Sequence, residues 1–130
     1  MDDADLLASA RDALVDAHVP YSGFRVGAAL RTADGETFTG CNLEVANYSN
    51  SLHAEELAVA AAVQAGHDEF ESLAVASNRD ALVTPCGMCR QTLAEFCDAD
   101  LRVVCERADG HETFSLGALL PATFSADAMA

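Results

Sequence analysis

A three-layer α/β/α domain around a five-stranded mixed sheet is the fold class that this sequence predicts. Helical and strand-like segments alternate in the order α-β-β-α-β-α-β-β, and right-handed crossovers between parallel strands then place two helices on one face of the sheet. The length of 130 residues, 51% of them apolar, is enough to bury one core and too little for two ordinary domains, so residues 1–130 are expected to form one domain.

Residues 3–18 carry Leu6, Leu7, Ala10, Leu14 and Ala17 at spacings of three and four, which predicts an amphipathic helix ending before Pro20. Residues 24–30 and 36–41 flank the turn signal Asp34-Gly35, so they pair as a β-hairpin. After a loop over residues 42–52, residues 53–65 are rich in Ala, Glu, Leu and Val and stop at Gly66, predicting a helix so apolar that it is buried. Residues 72–77 read as an inner strand, and a polar loop to Pro85 leads into a second buried helix over residues 87–97. A strand over residues 101–106 turns at Asp109-Gly110 into a last one near 112–114, and a short helical piece over 116–120 precedes an Ala-rich tail.

Composition excludes several classes of function. No apolar run approaches the roughly 18 residues of a membrane span, and the chain opens on Asp2, Asp3 and Asp5 rather than a basic stretch, so a cytoplasmic protein is expected. Twenty-one acidic residues face seven basic ones, every one an Arg, giving a net charge of −14. Such a chain repels phosphate, which disfavours a nucleic-acid partner. Lys depletion with excess Asp and Glu also suits a high-salt cytosol, where screening quenches self-repulsion. Five cysteines, at positions 41, 86, 89, 97 and 105, do not form an even secreted framework, so Cys86 and Cys89 are metal ligands or a redox couple.

The chemistry lies in two groups, His53-Ala54-Glu55 and Pro85-Cys86-Gly87-Met88-Cys89, each at the start of a predicted inner helix. Helix N-termini carry free N–H groups and partial positive charge, which favour thiolate at Cys86 and Cys89. Two residues between the cysteines let both sulfurs reach one Zn2+ ion at about 2.3 Å, with a neutral imidazole from His53 as third ligand. Three protein ligands leave one position for water, the mark of a catalytic site. Glu55, two residues past His53, cannot share its direction but lies near enough to move the water's proton. His-x-Glu followed some thirty residues later by Pro-Cys-x-x-Cys is the known signature of zinc deaminases.

With these residues the chain resembles the cytidine deaminases of the short, homotetrameric type, from about Leu6 to Ala126. Pro20-Tyr21-Ser22-Gly23-Phe24 and Val26-Gly27-Ala28-Ala29 are similar to the family's first strand, Cys41-Asn42-Leu43-Glu44 to its ribose-binding segment, and residues 119–125 to its C-terminus. The resemblance implies a cytidine deaminase-like fold and hydrolytic deamination of cytidine and deoxycytidine, small nucleosides. It also implies that Asn42 and Glu44 bond the ribose, that Phe24 lines the ring pocket, and that Ala54 receives the pyrimidine edge through its backbone. Phe124 would reach a neighbouring subunit's site in a homotetramer, with a homodimer as the alternative, and Tyr48 would be a subunit contact or a pocket wall. Short tetrameric members often carry Cys where His53 stands and Arg where Glu56 stands, whereas the long dimeric branch uses His. The two departures agree, because His with two thiolates on zinc is formally neutral and needs no offsetting Arg. For Arg90 two readings stand side by side, a hydrogen-bonding residue and an interface residue.

Three rivals accompany that reading. Deaminases of another cytosine compound, such as blasticidin S, resemble the chain at residues 85–90 and at Glu56. A structural zinc module would need a fourth ligand from Cys41, Cys97 or Cys105, which read better as small buried residues. RNA editing fits worst with the acidic composition. His18, His67 and His111 show no partner pattern and are expected at the surface.

Overall fold

The computed structural model describes residues 2–130. Helix α1 (Asp3–Leu14) is capped by the Asp2 carboxylate, which accepts from the Asp5 N–H at 2.9 Å. It ends four residues before the expected limit because other groups take its last residues. The Arg25 guanidinium donates to the carbonyls of Val15 and Ala17, and His18 exchanges backbone bonds with Asn42 and Glu44.

Strands β1 (Val26–Thr32) and β2 (Thr37–Cys41) form the hairpin predicted around Asp34-Gly35, with Gly35 at φ +94°. Next come α2 (Ala54–Gln64), β3 (Phe70–Ser77), α3 (Gly87–Phe96), β4 (Arg102–Arg107), β5 (Gly110–Ser115) and the short α4 (Leu116–Leu119). Gly66 follows the C-cap of α2 at φ +95°, the left-handed stop its position implied. The sheet runs β2-β1-β3-β4-β5, with β3 and β4 parallel and every other neighbour antiparallel. Because β1 opposes both β2 and β3, those two strands point the same way, so α2 and α3 begin at one end of the sheet. The expected five-stranded α/β/α architecture is the one observed.

Two apolar clusters fill the layers. Leu6, Leu7, Ala10 and Leu14 of α1 pack on Ala29, Ala74, Ala76 and Val104. On the other face Ala54, Ala58, Val59, Ala62 and Leu93 pack on Ala28, Leu30, Leu73, Val75 and Val103, as the two-residue alternation of β1 and β3 requires. Helix α2 lies so close to β2 that a Cβ on Gly40 would stand 2.3 Å from the Ala54 carbonyl oxygen. Glycine at residue 40 is what lets the first turn of α2 approach the sheet.

The inner helices are less buried than their composition predicted. Val63 on α2 is 36% exposed, and Met88 and Phe96 on α3 are 49% and 41% exposed. A helix in an outer layer has one face against the sheet, and nothing else among the described residues covers the other.

Candidate active site and metal centre

His53 is the N-cap of α2 and Cys86 that of α3, so the shared direction of β2 and β3 delivers both to one end of the sheet. Cys89 sits one turn into α3, buried. The sulfurs of Cys86 and Cys89 lie 3.3 and 3.4 Å from His53 Nδ1. These three donors lie within 4.8 Å of one another, and Cys41, Cys97 and Cys105 stand outside the group. An imidazole nitrogen and two sulfurs turned toward each other are the donor set zinc prefers, so the residues fit the ion. His53, Cys86 and Cys89 could hold zinc, and His53 and Cys86 also line the pocket.

Burial, then the charges of Glu55 and Cys86, push the Cys89 thiol up, so desolvation outweighs the helix N-terminus there. Burial also pushes Cys97 and Cys105 up to about 12, consistent with inert thiols.

The pocket has a volume of about 420 Å³ and is lined by Phe24, Asn42, Glu44, Tyr48, Glu55 and Val83 among others. Ala54 belongs to the same lining, at the first turn of α2, where backbone N–H groups have no helical acceptor. Glu55 is 5% exposed, and burial pushes its carboxyl above the usual range. Among the described lining residues the charged ones, Glu44 and Glu55, are both acidic, and no Arg is present.

The expected sugar-binding residues are heavily engaged with their own chain. Asn42 Nδ2 donates to the Phe24 carbonyl at 2.8 Å, and its Oδ1 accepts from the Val26 N–H at 2.9 Å. One donor hydrogen and one lone pair of the amide remain for a ligand. Glu44 accepts from the N–H groups of Tyr21 and Ser22 at 3.1 Å each, from the Ser22 hydroxyl, and from Tyr48 Oη at 3.3 Å. The Ser22 hydroxyl, then these other donors, hold the Glu44 carboxyl below its usual range. Phe24 and Arg25 give their N–H groups to Ser22 Oγ at 3.0 Å and Asn78 Oδ1 at 2.9 Å rather than to a neighbouring strand, so β1 begins at Val26 and not at residue 24.

Phe124 lies outside the pocket lining, 59% exposed, with its carbonyl accepting from Gln91 Nε2 at 2.8 Å. The structure gives partners to Glu56 and Arg90, which the sequence reading named without them. The Glu56 carboxylate accepts from the His53 N–H at 2.6 Å, one half of a capping box that a Glu three residues past an N-cap could have signalled. Arg90 is hydrogen-bonded within the chain, donating to the Pro85 and Leu119 carbonyls and to Thr84 Oγ1. His67, expected at the surface, has a side chain only 17% exposed, paired with Glu36 and packed on Phe38 with ring centroids 5.2 Å apart. No local pattern announced it, because its partners come from the β1–β2 hairpin.

A buried carboxylate beside a three-donor zinc set, at paired helix N-termini opening on a pocket, defines a zinc-dependent hydrolytic enzyme. A family model for the cytidine and deoxycytidylate deaminase zinc-binding region matches residues 1–106. A cytidine deaminase of Sporosarcina psychrophila is 42% identical over 126 residues, 96% of this chain and 93% of that protein. One from Halalkalibacterium halodurans is 38% identical over 130 residues, 99% of this chain and 98% of its own. The crystal structure of cytidine deaminase from Burkholderia pseudomallei superposes with a TM-score of 0.91 at 39% identity, covering 95% of this chain and all of the other. That from Mycobacterium tuberculosis gives 0.85 at 36% identity, over 96% and 98%. The chain belongs to the cytidine and deoxycytidylate deaminase family of zinc-binding proteins.

Proposed function

We propose that this protein deaminates cytidine and deoxycytidine hydrolytically, giving uridine or deoxyuridine and ammonia. The observation that carries this choice within the family is the charge of the pocket. Glu44 and Glu55 line it without an Arg, in a chain of net charge −14, so a neutral nucleoside enters where a nucleotide's phosphate is repelled. The nucleoside reading is also supported over the blasticidin S alternative by similarity to cytidine deaminases along nearly the whole chain.

His53, Cys86 and Cys89 would hold the zinc, which when bound supplies a Lewis acid that activates water near neutral pH. Phe24 and Val83 flank the base with apolar surface, and the backbone of Ala54 meets its polar edge. A Glu55 carboxylate oxygen takes a proton from the attacking water and delivers it to ring N3. The new bond is from water oxygen to C4, and the bond that breaks is from C4 to the exocyclic nitrogen. Glu55 hands the water's second proton to that nitrogen, which leaves as ammonia, so one carboxylate serves as base and then as acid. The free amide valences of Asn42 contact the sugar, and Glu44 shapes the wall against which it rests.

The same reading extends to assembly and setting. Tyr21 and Tyr48, each 58% exposed, stand with Leu52, Met88 and Phe124 as exposed apolar residues, which supports a homotetramer that covers them. The acid-rich composition, with Arg as its basic residue, supports a halophilic, cytoplasmic enzyme, and among the described residues no helix is long and apolar enough to cross a membrane. Light scattering on the purified protein checks the tetramer, and unfolding midpoints that rise with added salt check the halophilic character.

Loss of ultraviolet absorbance tests the activity itself, with cytidine, cytidine monophosphate and blasticidin S supplied separately in concentrated salt. Turnover of cytidine well above that of the other two is expected. Preferred turnover of the monophosphate would overturn the argument from pocket charge, and preferred turnover of blasticidin S would replace the substrate.

A further inference from the structure

Of the three residues facing one another at the metal centre, Cys86 is the one least held by packing. His53 is partly buried at the mouth of α2 and Cys89 is fully buried on α3, whereas Cys86 is exposed and follows residues 78–85, which form no helix or strand. Its sulfur makes no capping bond to α3, so its direction depends on the backbone just before it.

That backbone is gripped by one side chain. Arg90 Nε donates to the Pro85 carbonyl at 2.6 Å, and Nη2 donates to Thr84 Oγ1 at 2.9 Å. The third arm, Nη1, donates to the Leu119 carbonyl at 2.8 Å at the end of α4. The Arg90 N–H donates to the Cys86 carbonyl at 2.9 Å, so the same residue holds the chain on both sides of the Cys86 α-carbon. Proline at residue 85 fixes one backbone angle ahead of Cys86, and the carbonyl that Arg90 holds belongs to the peptide leading into Cys86. A planar guanidinium with donors in a fixed fork can bind three oxygens from two segments at once, and an ammonium cannot reproduce that geometry.

We propose that Arg90 is the positioning residue of the metal centre, bracing the Thr84-Pro85 segment against α4 so that Cys86 faces His53 and Cys89. The proposal rests on the reading of those three residues as zinc ligands. Partners outside the ligand set typically change metal affinity by about 10- to 100-fold when removed, and that is the size of effect expected here.

The test uses the full-length protein, stripped of metal and titrated with Co2+, with zinc affinity measured by chelator competition. Arg90→Lys keeps the charge and loses the fork, while Thr84→Val removes a single bond and leaves the fold in place. Expected for Arg90→Lys are a roughly 10- to 100-fold loss of zinc affinity and a changed visible cobalt spectrum, with a smaller loss for Thr84→Val. Variants that unfold earlier when metal-free, yet bind zinc and colour cobalt as the parent does, would overturn the proposal. Should Arg90→Lys fail to fold, an unchanged affinity and spectrum in Thr84→Val overturns it equally. A parent that does not bind cobalt one to one would instead overturn the ligand reading itself.

Discussion

The two sides of the pocket use their polar groups in opposite ways. On the metal side His53, Cys86 and Cys89 turn their donor atoms toward one another, and the groups that hold them are elsewhere, on Glu56 and Arg90. On the side proposed to meet the sugar, Asn42 and Glu44 use most of their own capacity on the loop over residues 20–26. A metal ion needs donors held open by others, whereas a sugar hydroxyl can be met by groups that also build the wall. Damage to the first side should therefore be nearly all-or-none, and damage to the second graded.

Cys89→Ser tests that contrast at its largest. If Cys89 holds the metal, its replacement should lower zinc affinity by more than the roughly 100-fold expected of an outer partner, and turnover should vanish with the metal. Zinc analysis after dialysis against a weak chelator reads it directly. Gly40→Ala comes next, and reaches the metal side without touching a ligand. The new methyl group would overlap the first turn of α2, so unfolding free energy should fall by about 1–3 kcal/mol or more, read from urea denaturation. On the sugar side Asn42→Ala should raise KM about ten-fold, the scale of one hydrogen bond, with retained zinc.

Glu44→Gln gives the subtlest effect, and its sign follows from the lowered carboxyl. A group whose folded value lies below its unfolded one stabilises the fold above the unfolded value, and loses that contribution as pH falls through the folded one. The parent should therefore outlast Glu44→Gln in urea above about pH 4.5, and the difference should close in stronger acid. A gap that widened on acidification would reverse the reading of the hydrogen bonds around Glu44.

The same contrast explains what could be read from the sequence. Metal chemistry dictates residue types at short spacings, so His53, Glu55, Cys86 and Cys89 stand out in the chain. The hairpin and Gly66 were legible because turns and helix ends demand particular backbone angles. The end of α1 was not, since Ala17 continues the apolar spacing and only Arg25 and the segment around Asn42, far along the chain, stop the helix. His67 and the partners of Arg90 were illegible for the same reason: the atoms that give them a role belong to other segments. Exposure on α2 and α3 was hidden because composition reports how apolar a helix is, and not how many of its faces meet a neighbour.

The most direct test of the central chemistry is Glu55→Gln, an uncharged replacement of nearly equal shape, measured beside the parent for zinc content and cytidine turnover in concentrated salt. If Glu55 moves the protons, the variant retains one zinc per chain and its kcat falls by about 10²–10⁴-fold. Turnover close to the parent's, with zinc in place, would contradict that role.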